Sequence, residues 1–504
     1  MKVEIMDTTL RDGEQTSGVS FSTSEKKAIT RLLLRDLHIH RVEVASARVS
    51  EGERDTVARI CSWAERHGCL DSVEVLGFLD RGKSVEWVKS VGGKVINLLA
   101  KGSEKHCRMQ LKQTPEQHFA AITEEIKRAR EAGLEVNLYL EDWSNGMKNS
   151  PEYVHSLMEC ALQLPVRRFL LPDTLGVLNP FDTMDYMGEM TSRYPGVHFD
   201  FHAHNDYDLA TANVIAAVKA GAKGIHCTVN GLGERAGNAT LSSSVTALHD
   251  QLGATTGIDE SKINKVSHIV ESFSGIPIPP NKPIIGESVF TQCAGVHADG
   301  DNKNNLYYND LLPERFGRER EYALGKTSGR ANIRKNLESL GIELSDEEIL
   351  RVTDRVIQLG DKKELVSQAD LPFIVADVLR HSAIPTNVSV ANYTLNLVQG
   401  LKPTATVKLV IGGCEYQESA VGDGQFDAFM RAVRGIYTER LQRTFPVLVN
   451  YSVSIPPGGR TDALVQTTVT WNHDGKVFKT RGVDADQTEA AIRATVKMLN
   501  IIEK

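Results

Sequence analysis

Short apolar segments alternate with longer amphipathic ones over the first 275 residues, and this alternation constrains the fold more than any other feature. The apolar segments, which read as strands, are Val3–Thr8, Arg41–Ser46, Val73–Phe78, Val95–Ala100, Val136–Glu141, Arg168–Asp173, His198–Asn205 and Gly224–Asn230. Helical patterns lie between them, including Glu25–Leu37, Glu53–His67, Pro115–Ala132, Pro151–Leu164, Pro180–Tyr194 and Leu209–Ala220. Such repeated strand–helix units predict an α/β fold in which a parallel sheet closes into a (β/α)8 TIM barrel.

An open, doubly wound parallel sheet is the alternative arrangement of the same units. Dinucleotide-binding sheets of that kind carry a G-x-G-x-x-G turn after the first strand, and none follows Val3–Thr8. Eight units within roughly 250 residues also match the usual size of a closed barrel. We therefore predict the barrel.

Catalytic groups of TIM barrels lie at the carboxyl ends of the strands, and polar residues of this chain fall at those positions. They follow or end five of the eight predicted strands, and the ones we single out are Arg11, Asp12, Glu141, Thr174, His202, His204 and Asn238. Polar groups on so many strand ends predict one convergent pocket.

His202 and His204 are two residues apart on a predicted strand, so their side chains project to the same face. With Asp12 across the barrel they form a set of two imidazoles and one carboxylate, which leaves open positions for substrate and water. Mn, Mg, Zn or Co suits such a set, and Asn238 can supply a further oxygen. A polar strand end that binds no metal is the alternative interpretation.

A divalent cation bound here would polarise the carbonyl of a 2-oxo acid, and Arg11 beside it would stabilise an oxyanion or enolate. The residues by themselves therefore predict metal-assisted formation or cleavage of a carbon–carbon bond. Three classes remain open: an enzyme that forms such a bond by condensation, a lyase that cleaves one, and a catalytically inactive binding or scaffold protein.

Charge and composition argue against several other classes of protein. The formal net charge is −7, and no run of Lys or Arg indicates a nucleic acid or an anionic membrane as partner. No stretch approaches the roughly 18 apolar residues of a membrane span, and residues 1–20 contain no apolar leader, so we expect a cytoplasmic protein. The seven cysteines are scattered without a C-x-x-C spacing, which indicates reduced thiols.

Four motifs together resemble the acyl-CoA-condensing branch of the DRE-TIM metallolyases, which contains 2-isopropylmalate, homocitrate and citramalate synthases. The motifs are Asp7–Gln15, His202–Asp206, Gly231–Asn238 and Ala294–Gly300. Further stretches are most similar to the citramalate synthase branch, namely Gly18–Glu25, Val44–Ser50, Tyr139–Gly146 and Leu311–Arg318. The resemblance covers nearly the whole chain, and it implies a Claisen condensation of acetyl-CoA with a 2-oxo acid.

The resemblance also implies roles for individual residues. Asp12, His202 and His204 would bind the metal with Asn238 close to it, Arg11 would face the reacting carbonyls, and Thr174 would bind the oxo-acid carboxylate.

Glu141 and His297, assisted by Tyr307, would remove a proton from the acetyl methyl group. The enolate would add to the keto carbon, and water would then hydrolyse the thioester. In this family the segment with His297 reaches the pocket of the neighbouring subunit, which implies a homodimer.

Three side chains bear on which oxo acid is used. Tyr139 shares strand parity with Glu141, so it points to the same side of the sheet. In the citramalate branch the positions of Leu76, Leu99 and Tyr139 line the short end of the substrate pocket, where their bulk favours pyruvate. The alternatives are a 2-isopropylmalate synthase, which takes 2-oxoisovalerate, and a packing role for these side chains without substrate contact.

The sequence predicts three regions: a catalytic barrel over 1–280, a helical linker over 281–389 that carries His297 and Tyr307, and an α+β domain over 390–504. An internal repeat marks the last region, because Gly422–Gly424 followed by a helical pattern is echoed at Gly482–Asp484. This region resembles the allosteric domain of the same family. Isoleucine is the expected effector of a citramalate synthase and leucine that of an isopropylmalate synthase, and a dimerisation domain without an effector is the alternative.

Overall fold

The computed structural model describes residues 1–292, 309–361, 366, 368–379, 387–454 and 465–503. The chain divides into two compact units. Residues 1–290 and 309–320 belong to the first, and the remaining described residues belong to the second. The predicted region boundaries at 280 and 390 stay a prediction.

The first unit contains a closed barrel of eight parallel strands in chain order, which confirms the predicted fold class. The strands are β1 (Glu4–Asp7), β2 (Arg41–Ser46), β3 (Val73–Phe78), β4 (Val95–Lys101), β5 (Glu135–Glu141), β6 (Val166–Asp173), β7 (Phe199–Ala203) and β8 (Gly224–Cys227). β1 closes the barrel, because Met6 pairs with Arg41 of β2 and Asp7 pairs with Cys227 of β8.

Strands β7 and β8 end earlier than the sequence predicts. After Ala203 the chain leaves the sheet, and His204 forms only an isolated antiparallel bridge to Asn238. After Cys227 it enters a short turn in which Asn230 has a φ of 60°. The apolar and polar residues beyond these points therefore belong to the loops at the carboxyl rim of the barrel.

Helices surround this barrel, and many of them begin at a side-chain cap. Ser22 and Thr114 form capping boxes with Glu25 and Gln117, and Asn179 caps the helix that begins at Pro180. The helices are α1 (Thr23–Arg31), α2 (Glu51–Arg66), α3 (Lys83–Ser90), α4 (Glu104–Met109), α5 (Pro115–Glu131), α6 (Trp143–Asn149), α7 (Pro151–Ala161), α8 (Pro180–Arg193), α9 (Ala210–Lys219), α10 (Leu241–Leu252) and α11 (Ile263–Ser274).

The first unit has two buried regions that differ in polarity. Between strands and helices lies a large apolar core. Inside the barrel, by contrast, charged and polar side chains such as Glu43, Asn97, Asp200 and His226 are buried beside a small apolar cluster. Barrel interiors are usually filled by branched apolar residues, so this polar interior must be satisfied by internal hydrogen bonds and ion pairs.

The second unit begins with a small helical part. The pair β9 (Thr291–Gln292) and β10 (Glu321–Tyr322) precedes helices α12 (Arg330–Ser339), α13 (Asp346–Asp361) and α14 (Leu371–Leu379). These helices share an apolar cluster centred on residues such as Ile333, Val352 and Leu371.

The end of the chain forms two antiparallel three-stranded sheets, each followed by a helix, and this repeat agrees with the sequence. The elements are β11 (Val388–Asn396), β12 (Thr404–Ile411), β13 (Cys414–Val421), α15 (Gln425–Gly435), β14 (Val447–Ser454), β15 (Val465–His473), β16 (Lys476–Asp484) and α16 (Gln487–Ile502). A Cβ on Gly422 or Gly482 would lie 2.2 Å or 1.9 Å from backbone atoms of the following helix, so both repeats need glycine there.

Two further findings concern the described residues as a whole. Among their helices, none combines the length and hydropathy needed to cross a membrane. Six cysteines fall within the described ranges, and all six are free thiols.

Glycine packing at α6 gives a test of the barrel. Gly146 and Gly188 both lie inside helices, but a Cβ on Gly146 would lie 2.1 Å from the Gly102 carbonyl oxygen, whereas one on Gly188 meets no atom within 4 Å. Alanine is about 1 kcal/mol more favourable than glycine in a helix, so Gly188→Ala should raise the free energy of unfolding by up to that amount. Gly146→Ala should lower it by about 1–3 kcal/mol, because backbone must move. Urea unfolding measures both changes, and a stabilised Gly146→Ala variant would contradict this packing.

Candidate active site

Asp12, His202 and His204 come together at the carboxyl rim of the barrel. One potential ligand atom from each residue can be chosen so that all three lie within 4.8 Å of one another. The Nε2 atoms of His202 and His204 are 3.1 Å and 3.8 Å from Oδ2 of Asp12. All three side chains are buried, so they present a compact set of one carboxylate and two imidazoles to the barrel mouth.

Buried polar atoms of this set lack partners. Neither carboxylate oxygen of Asp12 has an aligned hydrogen bond, and Nδ1 of each histidine is also without a partner. Burying an ionised carboxylate costs several kcal/mol, which Arg11 at 3.6 Å offsets in part and a cation held between these groups would offset further. The donor set therefore fits a divalent metal ion.

The protonation states also suit a cation. Burial alone would raise the pKa of Asp12, but the adjacent Arg11 guanidinium and the two imidazoles outweigh it and hold that pKa well below its usual range. Burial and the neighbouring His202 lower the pKa of His204 to about 4. At neutral pH the carboxylate is therefore ionised and the His204 ring is neutral, and these are the forms that bind metals.

Asn238 lies beside this set. Its Nδ2 donates to the Leu232 carbonyl at 3.0 Å, and its Oδ1 is buried without a hydrogen-bond partner. A Cβ on Gly233 would lie 2.2 Å from Nδ2 of Asn238, and Gly233 has a φ of 152°. Glycine is thus required for the loop to close over Asn238, whose free oxygen is available to a ligand.

Arg11 is fixed by three side chains. Its Nε donates to Glu43 Oε2 at 2.5 Å, its Nη1 is 3.6 Å from Asp12 Oδ1, and its Nη2 donates to the Tyr139 hydroxyl at 3.4 Å. Its guanidinium remains cationic and lies beside the Asp12 carboxylate. Arg11 is therefore positioned to stabilise negative charge that develops on a ligand bound next to Asp12.

Glu43 is a site residue that the sequence analysis missed. It is fully buried on β2, and its second oxygen accepts a hydrogen bond from Asn97 Nδ2 at 2.7 Å. Asn97 in turn accepts from Asn137 at 2.8 Å. The signal in the sequence was a charged residue in the middle of the apolar run Arg41–Ser46, where an uncompensated carboxylate would be costly.

Glu141, the predicted base, ends β5 on the same rim. It forms an ion pair with Lys101, which ends β4 and is largely buried. Lys101 is a second residue that the sequence analysis did not identify. Among the described residues, Glu141 makes no hydrogen bond or ion pair with Asp12 or the two histidines, so its catalytic role stays a prediction.

Thr174 follows β6 and lies against the turn after β5. Its Oγ1 accepts the backbone N–H of Asp142 at 2.8 Å, and its carbonyl accepts a hydrogen bond from Arg235. No described residue accepts the hydrogen of the Thr174 hydroxyl, which leaves that group able to donate to a ligand. Binding of the oxo-acid carboxylate at Thr174 stays a prediction.

The three residues predicted to line the short end of the pocket lie together. Leu76 and Tyr139 form one buried apolar cluster with Met6 and Leu170 inside the barrel, and Leu99 packs against it. The Tyr139 ring also lies under Arg11, whose Cζ is 5.9 Å from the ring centroid. This cluster therefore borders the charged part of the site. His297 and Tyr307 lie outside the described residues.

Comparisons with known proteins agree with this geometry. The HMGL-like family matches residues 2–270, more than half of the chain. The chain belongs to this family. The homocitrate synthase post-HMGL domain-like family matches residues 284–364, and the LeuA allosteric (dimerisation) domain matches residues 365–503. The family resemblance predicted from the motifs is thereby confirmed.

Individual HMGL-like relatives match over the full length. The (R)-citramalate synthase of Methanocaldococcus jannaschii is 33% identical over 506 residues, which cover 100% of each chain. A Methanopyrus kandleri protein named "Probable 2-isopropylmalate synthase" is 33% identical over 504 residues, which cover 99% of this chain and 98% of that one. Together these matches indicate an enzyme of the acyltransferase type with a domain for dimerisation and allosteric control.

Substitution of the histidines tests the metal centre. His202→Ala and His204→Ala should each weaken Mn²⁺ binding by at least about 100-fold, because even residues that only orient metal ligands contribute 10–100-fold. Calorimetric titration of chelator-treated protein measures the affinity. His155→Ala is the matched control, since His155 is buried and paired with Glu189 on the outside of the barrel. Equal binding by all three variants would remove the proposed metal site.

Proposed function

We propose that this chain is an (R)-citramalate synthase, which condenses acetyl-CoA with pyruvate to give (R)-citramalate and CoA for isoleucine biosynthesis. The observation that carries the proposal is the apolar cluster of Leu76, Leu99 and Tyr139 directly beside Arg11. A pocket with a cationic group and bulky apolar side chains at one end suits an oxo acid with a short side chain. The name of the full-length relative from Methanocaldococcus jannaschii supports the same activity.

Asp12, His202 and His204 would hold the cation, for which Mn, Mg, Zn and Co are the candidates. Asn238, whose backbone bridges to His204 and whose Oδ1 is buried without a hydrogen-bond partner, would supply a further oxygen. When bound, the cation supplies Lewis acidity that polarises the keto group of the oxo acid.

The chain itself supplies binding, orientation and proton transfer. Thr174 would donate its hydroxyl hydrogen to the carboxylate of pyruvate, and Arg11 would stabilise negative charge on the reacting oxygens. Glu141 would accept a proton from the acetyl methyl group at a carboxylate oxygen while Lys101 holds that carboxylate in place. The proposal assigns His297 and Tyr307 to the same proton transfer, as the family resemblance implies.

Atoms balance in the overall reaction. The acetyl methyl carbon loses one proton and forms a bond to the keto carbon of pyruvate, whose oxygen becomes the hydroxyl of the product. Water then cleaves the thioester, and the sulfur leaves as the thiol of CoA. Hydrolysis of the thioester makes the condensation irreversible.

A 2-isopropylmalate synthase is the second candidate, and the Methanopyrus kandleri relative with that name favours it. The chemistry is the same, and only the space at the short end of the substrate differs. One methylene in a pocket is worth about 1–3 kcal/mol, so a few side chains decide between the two oxo acids.

Rates of CoA release with pyruvate and 2-oxoisovalerate test the proposal. The wild-type protein should prefer pyruvate, and Leu99→Ala should reduce this preference by at least about tenfold, because it opens space for the larger side chain. Leu98→Ala is the matched control on the same strand, since Leu98 packs in the core between barrel and helices. It should lower stability by about 2–5 kcal/mol without changing the preference. A wild-type preference for 2-oxoisovalerate would favour the second candidate instead.

The proposed product, (R)-citramalate, determines which feedback effector we expect. A LeuA allosteric (dimerisation) domain at residues 365–503 supports feedback by an end product in a homodimer. We expect isoleucine to lower the rate of CoA release by the full chain and leucine at the same concentration to leave it unchanged. Initial rates at subsaturating acetyl-CoA measure this, and inhibition by leucine alone would indicate the second candidate.

A further inference from the structure

The hydroxyl of Tyr139 begins a chain of buried hydrogen bonds that crosses the barrel. Its oxygen is 3.2 Å from Nδ1 of His226, and Nε2 of His226 is 3.2 Å from Oδ2 of Asp200. Arg41 donates to the same Asp200 oxygen. We call these four residues the Tyr139–Arg41 chain. At most 3% of any of them is exposed, so water does not compete for these bonds.

Asp200 fixes the direction of every bond in this chain. An ionised carboxylate can only accept, so Nε2 of His226 must carry a hydrogen and donate it to Asp200. In a neutral imidazole the other nitrogen then has no hydrogen and acts as an acceptor. Nδ1 of His226 must therefore receive the phenolic hydrogen of Tyr139.

This direction determines what the Tyr139 oxygen offers to the active site. Its single hydrogen points to His226, so the lone pairs remain for the Arg11 Nη2 donor at 3.4 Å. Glu43 Oε2 is the competing acceptor for the phenolic hydrogen, but it is 3.5 Å away and already receives Arg11 Nε at 2.5 Å. The ring is thus held at two points, by His226 on one side and by Arg11 on the other.

We propose that His226 is a positioning residue that sets the preference for the oxo acid by holding Tyr139, with Asp200 fixing the His226 tautomer. This inference rests on the proposed function, in which the Tyr139 ring borders the short end of the substrate. Loss of the bond to His226 frees the phenol to rotate its hydrogen towards Glu43 and lets the ring shift within the apolar cluster. The pocket then accepts a longer side chain, and Arg11 loses a fixed acceptor.

The remainder of the barrel interior keeps its partners when His226 is replaced. Asp200 still accepts from Arg41 and is still bonded to His198 at 2.9 Å through its other oxygen. Arg41 also contacts Glu74, with Nη1 3.3 Å from Oε1. The charges around His226 therefore stay compensated. His226→Leu removes an acceptor for Tyr139, a donor to Asp200 and the edge-on ring contacts with Tyr139 and His202, whose centroids lie 5.6 Å and 5.4 Å from that of His226.

A double-mutant cycle tests the proposal, with the ratio of kcat/KM for pyruvate to kcat/KM for 2-oxoisovalerate as the measurement. We expect His226→Leu to lower this ratio about tenfold in the wild-type background. In the Tyr139→Phe background, which keeps the ring but lacks the hydroxyl, the same substitution should change the ratio less than twofold. Equal effects in the two backgrounds, or no effect in the wild type, would overturn the proposal.

Two further variants make the test decisive. His155→Leu is the matched control, because Nδ1 of His155 is 3.0 Å from the Tyr194 hydroxyl in a similar buried pair outside the barrel interior. It should lower stability and leave the ratio unchanged. If His226→Leu does not fold, His226→Phe replaces it, since a phenyl ring fills the place of the imidazole without an acceptor for the Tyr139 hydroxyl, and it should lower the ratio only when that hydroxyl is present. A wild-type chain that releases no CoA with either oxo acid overturns the proposed function, whereas additive variants of an active chain overturn this inference alone.

Discussion

The stability of the barrel depends on ion pairs that offset the cost of burying charged side chains in its interior. Most of these groups have partners, as Arg41 has in Asp200 and Glu74, and Arg11 has in Glu43. The carboxylate of Asp12 differs from them, because it faces Arg11 at 3.6 Å and two imidazoles without an aligned hydrogen bond to either oxygen. A buried carboxylate flanked by two imidazoles in this way is arranged for a cation, and the proposed chemistry of the pocket depends on that cation.

The pocket has an apolar part, the cluster that contains Tyr139, and a charged part, which includes Asp12 and Glu43. Arg11 links them, because it contacts Glu43, Asp12 and Tyr139 at the same time. A change at the apolar end therefore also alters the group that stabilises negative charge. Under the proposed function, small shifts of side chains at the apolar end would change the preference between oxo acids of different length and leave the reaction the same.

Much of this architecture could be predicted from the sequence, because strand periodicity is a local property. The bounds of β2 and β3 agree with the prediction. The two-residue repeat of a strand predicted the His202 and His204 pair, although His204 lies one residue beyond the end of β7. Glu43, Lys101 and His226 were missed, because their partners lie on other strands and cross-barrel contacts depend on register and curvature. The early ends of β7 and β8 were missed for a related reason: the polar residues there leave the sheet to form the rim.

Electron paramagnetic resonance of the Mn²⁺-loaded protein tests the central claim most directly. We expect hyperfine coupling to two imidazole nitrogens, loss of one coupling in His202→Ala, and line broadening on addition of pyruvate labelled with ¹⁷O in the keto group. A spectrum that shows bound Mn²⁺ without nitrogen coupling, unchanged by labelled pyruvate, would contradict a metal held by Asp12, His202 and His204 against the substrate.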